Sequence, residues 1–167
     1  MLECYWYLPL SGYIKVNTDG ASRGNPGNAG WAAVYRDHNG IVIGTYVGGL
    51  GVATNYEAKS TAIVEGIAKA IEQGWLHIWV DTDSATAAKA FQTDNVLWKV
   101  WAKWDRIKLS NIELRITSSW REVNFAADHR ANKGLGLNRG CKQWWNGKPP
   151  FLTQIENPEL TYYRFLN

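Results

Sequence analysis

The sequence predicts an α/β fold in which a five-stranded mixed sheet is flanked by helices. Its first third carries segments of alternating apolar and polar residues separated by short turns, which is typical of half-buried antiparallel strands. The later part alternates short strands with segments of helical period. Hairpin-linked strands followed by strands that helices separate predict a mixed sheet with helices packed against it.

The three hairpin strands are predicted at residues 13–19, 30–36 and 41–47. The first strand ends at Asp19, and the run rich in Gly, Asn and Pro that follows predicts a loop. An Asn-Gly pair at residues 39–40 indicates a tight turn between the second and third strands, which makes them antiparallel neighbours.

After the third strand, the pattern changes to a helical period. Ile63, Ile67 and Ile71 recur at helical spacing, and Gly74 follows them as a common helix stop. The remaining predicted elements are a helix at 55–73, a strand at 76–80, helices at 84–91 and 96–109, a strand at 112–116 and a helix at 126–133.

The composition indicates one folded domain over residues 1–167. The chain has 46% hydrophobic residues and ten tryptophans, which a disordered chain would not carry. We expect the core at about residues 12–134 and an irregular tail at 135–167. The formal net charge of +3 permits a nucleic-acid partner without requiring one.

Cysteine usage and hydropathy indicate an intracellular compartment. Cys4 and Cys141 lie near opposite ends of the chain, which argues against a disulfide framework or a structural zinc site. The sequence has no signal-peptide pattern and no run of ~18 apolar residues. We therefore expect an intracellular protein of the cytoplasm or nucleus, with no membrane association and no obligate protein partner.

Four carboxylates lie at strand ends or helix starts: Asp19, Glu57, Asp83 and Asp128. Such positions converge on one edge of a sheet, where ligands bind. Converging acids repel one another, a divalent cation relieves the repulsion, and all-oxygen ligands favour Mg²⁺ or Mn²⁺. Each acid alone has a structural alternative, since Asp commonly caps helices and Glu in a first turn interacts with the helix dipole.

The segments around these acids resemble the motifs of the ribonuclease H family. They read DGASRGNPG from Asp19, ATNYEA around Glu57, TDS around Asp83 and REVNFAAD ending at Asp128. Order, spacing and element type agree over about residues 12–134. The chain is most similar to the ribonuclease H-like domains of plant LINE-type retrotransposons and their stand-alone relatives. The resemblance implies a ribonuclease H-like three-layer fold.

The resemblance also implies a two-metal-ion endoribonuclease. Asp19 would bridge two Mg²⁺ ions, with Glu57 and Asp83 completing one site and Asp128 the other, and Mn²⁺ would be able to substitute. Two ions about 4 Å apart activate a water molecule and stabilise the leaving oxygen of a phosphodiester.

Polar residues near these acids are the implied substrate contacts. Asn25 and Asn55 match positions that contact the 2′-hydroxyls of the RNA strand, and such contacts distinguish RNA from DNA. Arg23, in the same loop as Asn25, suits a phosphate. Asn124, in the fourth motif, is also predicted to bind substrate.

The helix predicted at 96–109 combines aromatic and basic residues. Trp98, Trp101 and Trp104 follow one stripe, which we expect in the core. Lys99 and Lys103 follow another and are predicted to hold the backbone of the duplex, as some relatives do near this position. The alternative for these lysines is the solvated face of an ordinary amphipathic helix.

Two assignments stay open. Strand alternation puts Asp81 on the same face as Asp83, which makes it a rival ligand, although the TDS motif favours Asp83. Many family members carry a histidine on the loop before the last aspartate, but residues 117–121 contain none. His129 is either its substitute or a solvated residue of the helix start.

We expect an endoribonuclease that hydrolyses the RNA strand of a nucleic-acid duplex, with RNA–DNA hybrid favoured. One alternative is a nuclease that degrades double-stranded RNA in antiviral defence. Another is a catalytically weak nucleic-acid-binding module. The four acids favour an enzyme, because binding alone has no use for clustered carboxylates beside phosphates.

Overall fold

The computed structural model describes residues 1–166. Their strands are β1 (Leu2–Cys4), β2 (Ile14–Gly24), β3 (Gly27–Arg36), β4 (Val42–Ala53), β5 (His77–Thr82), β6 (Glu113–Ser118), β7 (Lys142–Asn146) and β8 (Tyr162–Arg164). Their α-helices are α1 (Asn55–Glu72), α2 (Ala85–Gln92), α3 (Trp101–Leu109) and α4 (Phe125–Gly134). None of the helices in this range has both the length and the apolar character that crossing a bilayer requires.

Six of the strands form the main sheet in the order β6-β5-β2-β3-β4-β7. The strands β2, β3, β4 and β7 are antiparallel neighbours, whereas β5 and β6 run parallel to β2. The predicted mixed sheet and the order of its elements are confirmed. The first strand is longer than predicted, because β2 continues past Asp19 and pairs with β3 as far as Gly24.

The helices α1 and α4 cover opposite faces of the sheet, which gives three layers. Successive side chains of a strand alternate between the two faces. On β3, Ala33 and Tyr35 accordingly pack in the cluster that contains Ile63 of α1. Val34, between them, packs in the cluster that contains Ala127 of α4. Burial of these apolar surfaces holds the two helices against the two faces of the sheet.

The tail that was predicted to be irregular contributes two strands. The strand β7 extends the main sheet beyond β4, and β8 pairs with β1. Trp144 of β7 fits over Gly44, where a Cβ would come within 2.3 Å of its ring, and it makes an edge contact with Tyr35. The prediction of five strands missed β7 because its residues lack apolar–polar alternation.

The helix predicted at 96–109 is shorter than expected. A single turn of 3-10 helix at Trp98–Val100 precedes α3, which begins at Trp101. Trp104 is buried against Phe91, whereas Trp98 and Trp101 are 64% and 57% exposed. The prediction of a buried tryptophan stripe is therefore correct only for Trp104.

Candidate active site

The site begins where β2 passes the first turns of α1. Asp19 is buried on β2, and its carboxylate accepts a hydrogen bond of 2.8 Å from the main-chain nitrogen of Gly20. Only glycine fits at residue 20, because a Cβ there would lie 2.2 Å from the carbonyl carbon of Ala58 and 2.4 Å from the main-chain nitrogen of Lys59. This close approach determines which residues of α1 lie beside Asp19.

A lysine lies at the centre of the site. The ammonium group of Lys59 donates hydrogen bonds to Oδ1 of Asp19 and to Oδ1 of Asp83, each of 2.7 Å. The side chains of the two acids are 2% and 5% exposed, and that of Lys59 is 19% exposed. Arg121 adds a second cation, with Nε 3.9 Å from Oδ2 of Asp83. Two positive side chains thus face two carboxylates.

Burial and charge perturb the pKa values of this cluster. Burial, and then the neighbouring carboxylate of Asp83, raises the pKa of Asp19 to about 7, against the lowering effect of Lys59. Burial lowers the pKa of Lys59, but its ion pairs with the two acids outweigh this effect and raise the pKa above its ordinary value. Lys59 therefore stays protonated at neutral pH and favours the ionised form of Asp19.

Glu57, which the resemblance implied as a metal ligand, points away from these acids. Its carboxylate pairs with Nζ of Lys99 at 2.9 Å. Residues two positions apart on an α-helix lie ~200° apart around its axis, so Glu57 and Lys59 cannot both face Asp19. The place expected for the glutamate carboxylate is thus taken by the ammonium group of Lys59.

The side chains of this site do not fit a divalent metal ion. Within residues 1–166, no three His, Cys, Asp or Glu side chains are grouped closely enough to hold one. Asp128 lies in the first turn of α4 and lines a surface hollow with His129. Mg²⁺ needs carboxylate oxygens that are free to coordinate it, but Oδ1 of Asp19 and of Asp83 already accept from Lys59. Among residues 1–166, the four predicted carboxylates therefore do not form one cluster.

The predicted substrate contacts divide into exposed and buried residues. Arg23, Asn25 and Asn55 are exposed, and Oδ1 of Asn25 accepts a hydrogen bond of 3.0 Å from the main-chain nitrogen of Asn55. Asn124 is fully buried, and its side chain bonds to that of Asn17 and to the main chain of β2. Its amide thus links β2 to the start of α4 and is not exposed to a ligand, so the substrate contact of Asn124 stays a prediction.

The lysines predicted to hold a duplex are paired with acids of α1. Lys99 bonds to Glu57, while Lys103 and Lys142 both bond to Glu65. The side chains of Lys99 and Lys103 are 47% and 29% exposed, so a phosphate can reach them only in competition with these carboxylates. The lysines therefore offer a duplex less free charge than the sequence suggests.

Asp81 has a separate role. Its carboxylate accepts a hydrogen bond of 2.9 Å from the hydroxyl of Thr117 and lies 3.9 Å from Nζ of the buried Lys15. Asp83, the residue that the TDS motif favoured, is the one that shares the ammonium group of Lys59 with Asp19. Asp81 thus supports the packing between β2, β5 and β6.

Sequence reasoning missed Lys59, although a signal was present. Lys59 precedes Ile63 by four residues and Ile67 by eight, which places it on the apolar stripe that predicted the helix. A lysine on the inward face of a helix needs a buried anion as partner. Arg121 was missed because its approach to Asp83 depends on the path of the loop after β6.

Comparisons with known proteins identify the family of this chain. Residues 17–134 match the family model described as reverse transcriptase-like. The chain is 30% identical over 152 residues to the ribonuclease HI of Neisseria meningitidis, an alignment that covers 78% of this chain and 97% of that enzyme. It is 29% identical over 150 residues to an Arabidopsis thaliana protein provisionally named a ribonuclease H protein. That alignment covers 81% of this chain and spans 22% of the longer plant protein.

Solved structures share the arrangement of strands and helices. The RNase H1 named LC11, in complex with an RNA/DNA hybrid, has a TM-score of 0.67 at 26% identity and covers 73% of this chain and 96% of its own. The RNase H1 of Halobacterium salinarum has a TM-score of 0.66 at 28% identity and covers 74% of this chain and 97% of its own. The three-layer arrangement predicted from the sequence is confirmed.

Proposed function

This chain belongs to the ribonuclease H family, and we propose that it binds duplexes that contain an RNA strand, RNA–DNA hybrid foremost, without hydrolysing them. The observation that carries the proposal is the ammonium group of Lys59 between Asp19 and Asp83. Two-metal hydrolysis needs carboxylates free to bind cations, and here a lysine neutralises them. The hybrid bound to LC11-RNase H1 supports the choice of duplex.

The exposed loop beside the site supplies groups for an RNA strand. The side-chain oxygen of Asn25 is engaged by the main chain of Asn55, so its amide N–H groups are what it offers to a 2′-hydroxyl. Arg23, two residues earlier, suits a phosphate. Both residues follow Asp19 on the same β2–β3 hairpin, which places them at the end of the sheet that carries the site.

A second candidate keeps the metal-dependent endoribonuclease activity expected from the sequence. The 30% identity with the ribonuclease HI of Neisseria meningitidis, over 97% of that enzyme, favours it. Mg²⁺ or Mn²⁺ would then have to displace Lys59 from the two aspartates. The carboxylate of Glu57 would also have to leave Lys99 and reach the opposite side of α1. The two candidate functions therefore differ in the role of Glu57, which pairs with Lys99 in the first and would bind metal in the second.

Replacing Asn25 with alanine should weaken the binding of RNA–DNA hybrid about ten- to a hundredfold, which is the effect of losing one polar contact of ~1–3 kcal/mol. Fluorescence anisotropy in EDTA, with hybrid, double-stranded RNA and double-stranded DNA as ligands, measures the affinity. Asn39→Ala is the matched control, because Asn39 is exposed in the turn at the opposite end of β3. If the parent protein bound all three duplexes equally, the proposed substrate class would be wrong.

Replacing Glu57 with glutamine should increase the affinity for hybrid about two- to fivefold. Lys99 then loses its carboxylate partner and becomes available to a phosphate. The salt dependence of the affinity should steepen by about one counterion. Glu72→Gln, at an exposed position of the same helix, is the control and should bind as the parent does. A weaker complex with Glu57→Gln would argue for a direct role of Glu57 in the site.

A further inference from the structure

We propose that Lys59 is a built-in cation that takes the place of a metal ion between Asp19 and Asp83, and that its exchange for glutamate would create the metal site that this chain lacks. The inference deepens the proposed function and rests on it for the identity of the site. It concerns a residue that neither the motifs nor the family resemblance assigned.

The contacts of Lys59 are those of a bridging cation. One ammonium group lies within 2.7 Å of an oxygen from each acid, so both ion pairs are also hydrogen bonds. The two acids come from different strands, because Asp19 lies on β2 and Asp83 directly follows β5. Lys59 therefore joins β2 to the residue after β5, where two adjacent buried carboxylates would otherwise repel each other.

Packing, rather than the choice of one rotamer, puts Lys59 in this place. The main chain of α1 at Ala58 touches β2 at Gly20, where no residue other than glycine fits. One turn further along the same face, Ile63 is completely buried in the main core. Turning α1 so that Glu57 faced Asp19 would take Ile63 out of the core, so the helix cannot deliver both residues to the site.

The same geometry predicts what an acid at residue 59 would do. A glutamate there would add its carboxylate to those of Asp19 and Asp83, and three carboxylates on one small surface repel one another. Carboxylate oxygens in such a group are ligands that Mg²⁺ and Mn²⁺ accept. A single substitution should therefore turn a site closed by an internal cation into one that requires an external cation.

The test compares melting temperatures of the parent protein and Lys59→Glu, without nucleic acid, in EDTA and in saturating Mg²⁺ or Mn²⁺. We expect no metal-dependent shift in the parent protein and a rise of roughly 5–10 °C for Lys59→Glu. A comparable rise in the parent protein would overturn the proposal. So would a Lys59→Glu variant that gains nothing from either metal, whether it is folded or unfolded in EDTA.

A second variant tests the bridging role without creating an acid. Lys59→Gln removes the charge and should lower the melting temperature in EDTA by roughly 5–10 °C, because it leaves two buried carboxylates without their cation. Lys99→Gln is the matched control, since its pair with Glu57 is half-exposed, and it should melt within about 2 °C of the parent. Equal melting temperatures for the two variants would overturn the bridging role.

These measurements separate the inference from the proposed function. A parent protein that binds no RNA-containing duplex but behaves as expected towards Mg²⁺ would refute the proposed function alone. A parent protein that binds hybrid and is also stabilised by Mg²⁺ would refute the built-in cation alone.

Discussion

Replacing Glu156 with alanine should lower the free energy of unfolding by about 3–5 kcal/mol, which is the usual effect of removing one partner of a buried ion pair. Glu156 is 1% exposed, and its carboxylate lies 3.3 Å from Nη1 of the buried Arg36. The same carboxylate accepts a hydrogen bond of 3.1 Å from the main-chain nitrogen of Ala126, in the first turn of α4. The alanine variant leaves a guanidinium group in the core without an anion and the start of α4 without this bond.

Urea unfolding followed by tryptophan fluorescence measures this loss. Glu159→Ala is the matched control, because Glu159 is an exposed acid of the same tail, and it should change the free energy by no more than about 0.5 kcal/mol. Similar stabilities for the two variants would mean that Glu156 does not anchor the tail to Arg36 and α4.

Replacing Gly20 with alanine should destabilise the protein by about 3 kcal/mol or more, at the upper end of the range for overpacked sites. The new Cβ would lie 2.2 Å from the carbonyl carbon of Ala58, and a main-chain atom cannot move aside as a flexible side chain can. Relief requires α1 to move away from β2. That movement also carries Lys59 away from Asp19, so the substitution should disrupt the site together with the fold.

The control for Gly20→Ala is Gly136→Ala, where the nearest atom to an added Cβ is 3.6 Å away, an ordinary contact. Its free energy of unfolding, measured in the same urea titration, should stay within about 1 kcal/mol of the parent. A Gly20→Ala variant as stable as this control would show that the contact between β2 and α1 is loose, and the assignment of Lys59 to the site would lose its physical basis.

Much of the fold was predictable because it follows from periodicity and turn residues. The strands β2 to β6 and all four helices were predicted, with boundaries that differ from the observed ones by a few residues at most ends. The main exceptions are β2, which runs on to Gly24, β4, which runs on to Ala53, and α3, which begins only at Trp101. The tail was not predictable in this way. Its strand β7 joins the sheet through Trp144, whose partner Gly44 lies about a hundred residues earlier, and local patterns do not report such a contact.

The site was predictable in its strand residues and not in its helix residue. Asp19 lies within β2 and Asp83 directly follows β5, and the direction of a side chain on a strand follows from simple alternation. On α1, a difference of two residues turns a side chain to the other side of the helix, so the motif around Glu57 could not show which residue faces the sheet. The contact of Gly20 with Ala58 decides this, and it selects Lys59.

The proposed function requires this family member to bind an RNA-containing duplex at a site where Lys59 excludes metal ions. The most direct test incubates the purified parent protein with end-labelled RNA–DNA hybrid and Mg²⁺, and follows binding and strand length in the same sample. Asp19→Asn, prepared identically, shows any cleavage that comes from contamination. We predict a bound hybrid whose RNA strand stays intact. Mg²⁺-dependent cleavage of the RNA strand by the parent protein, absent from Asp19→Asn, would contradict the claim.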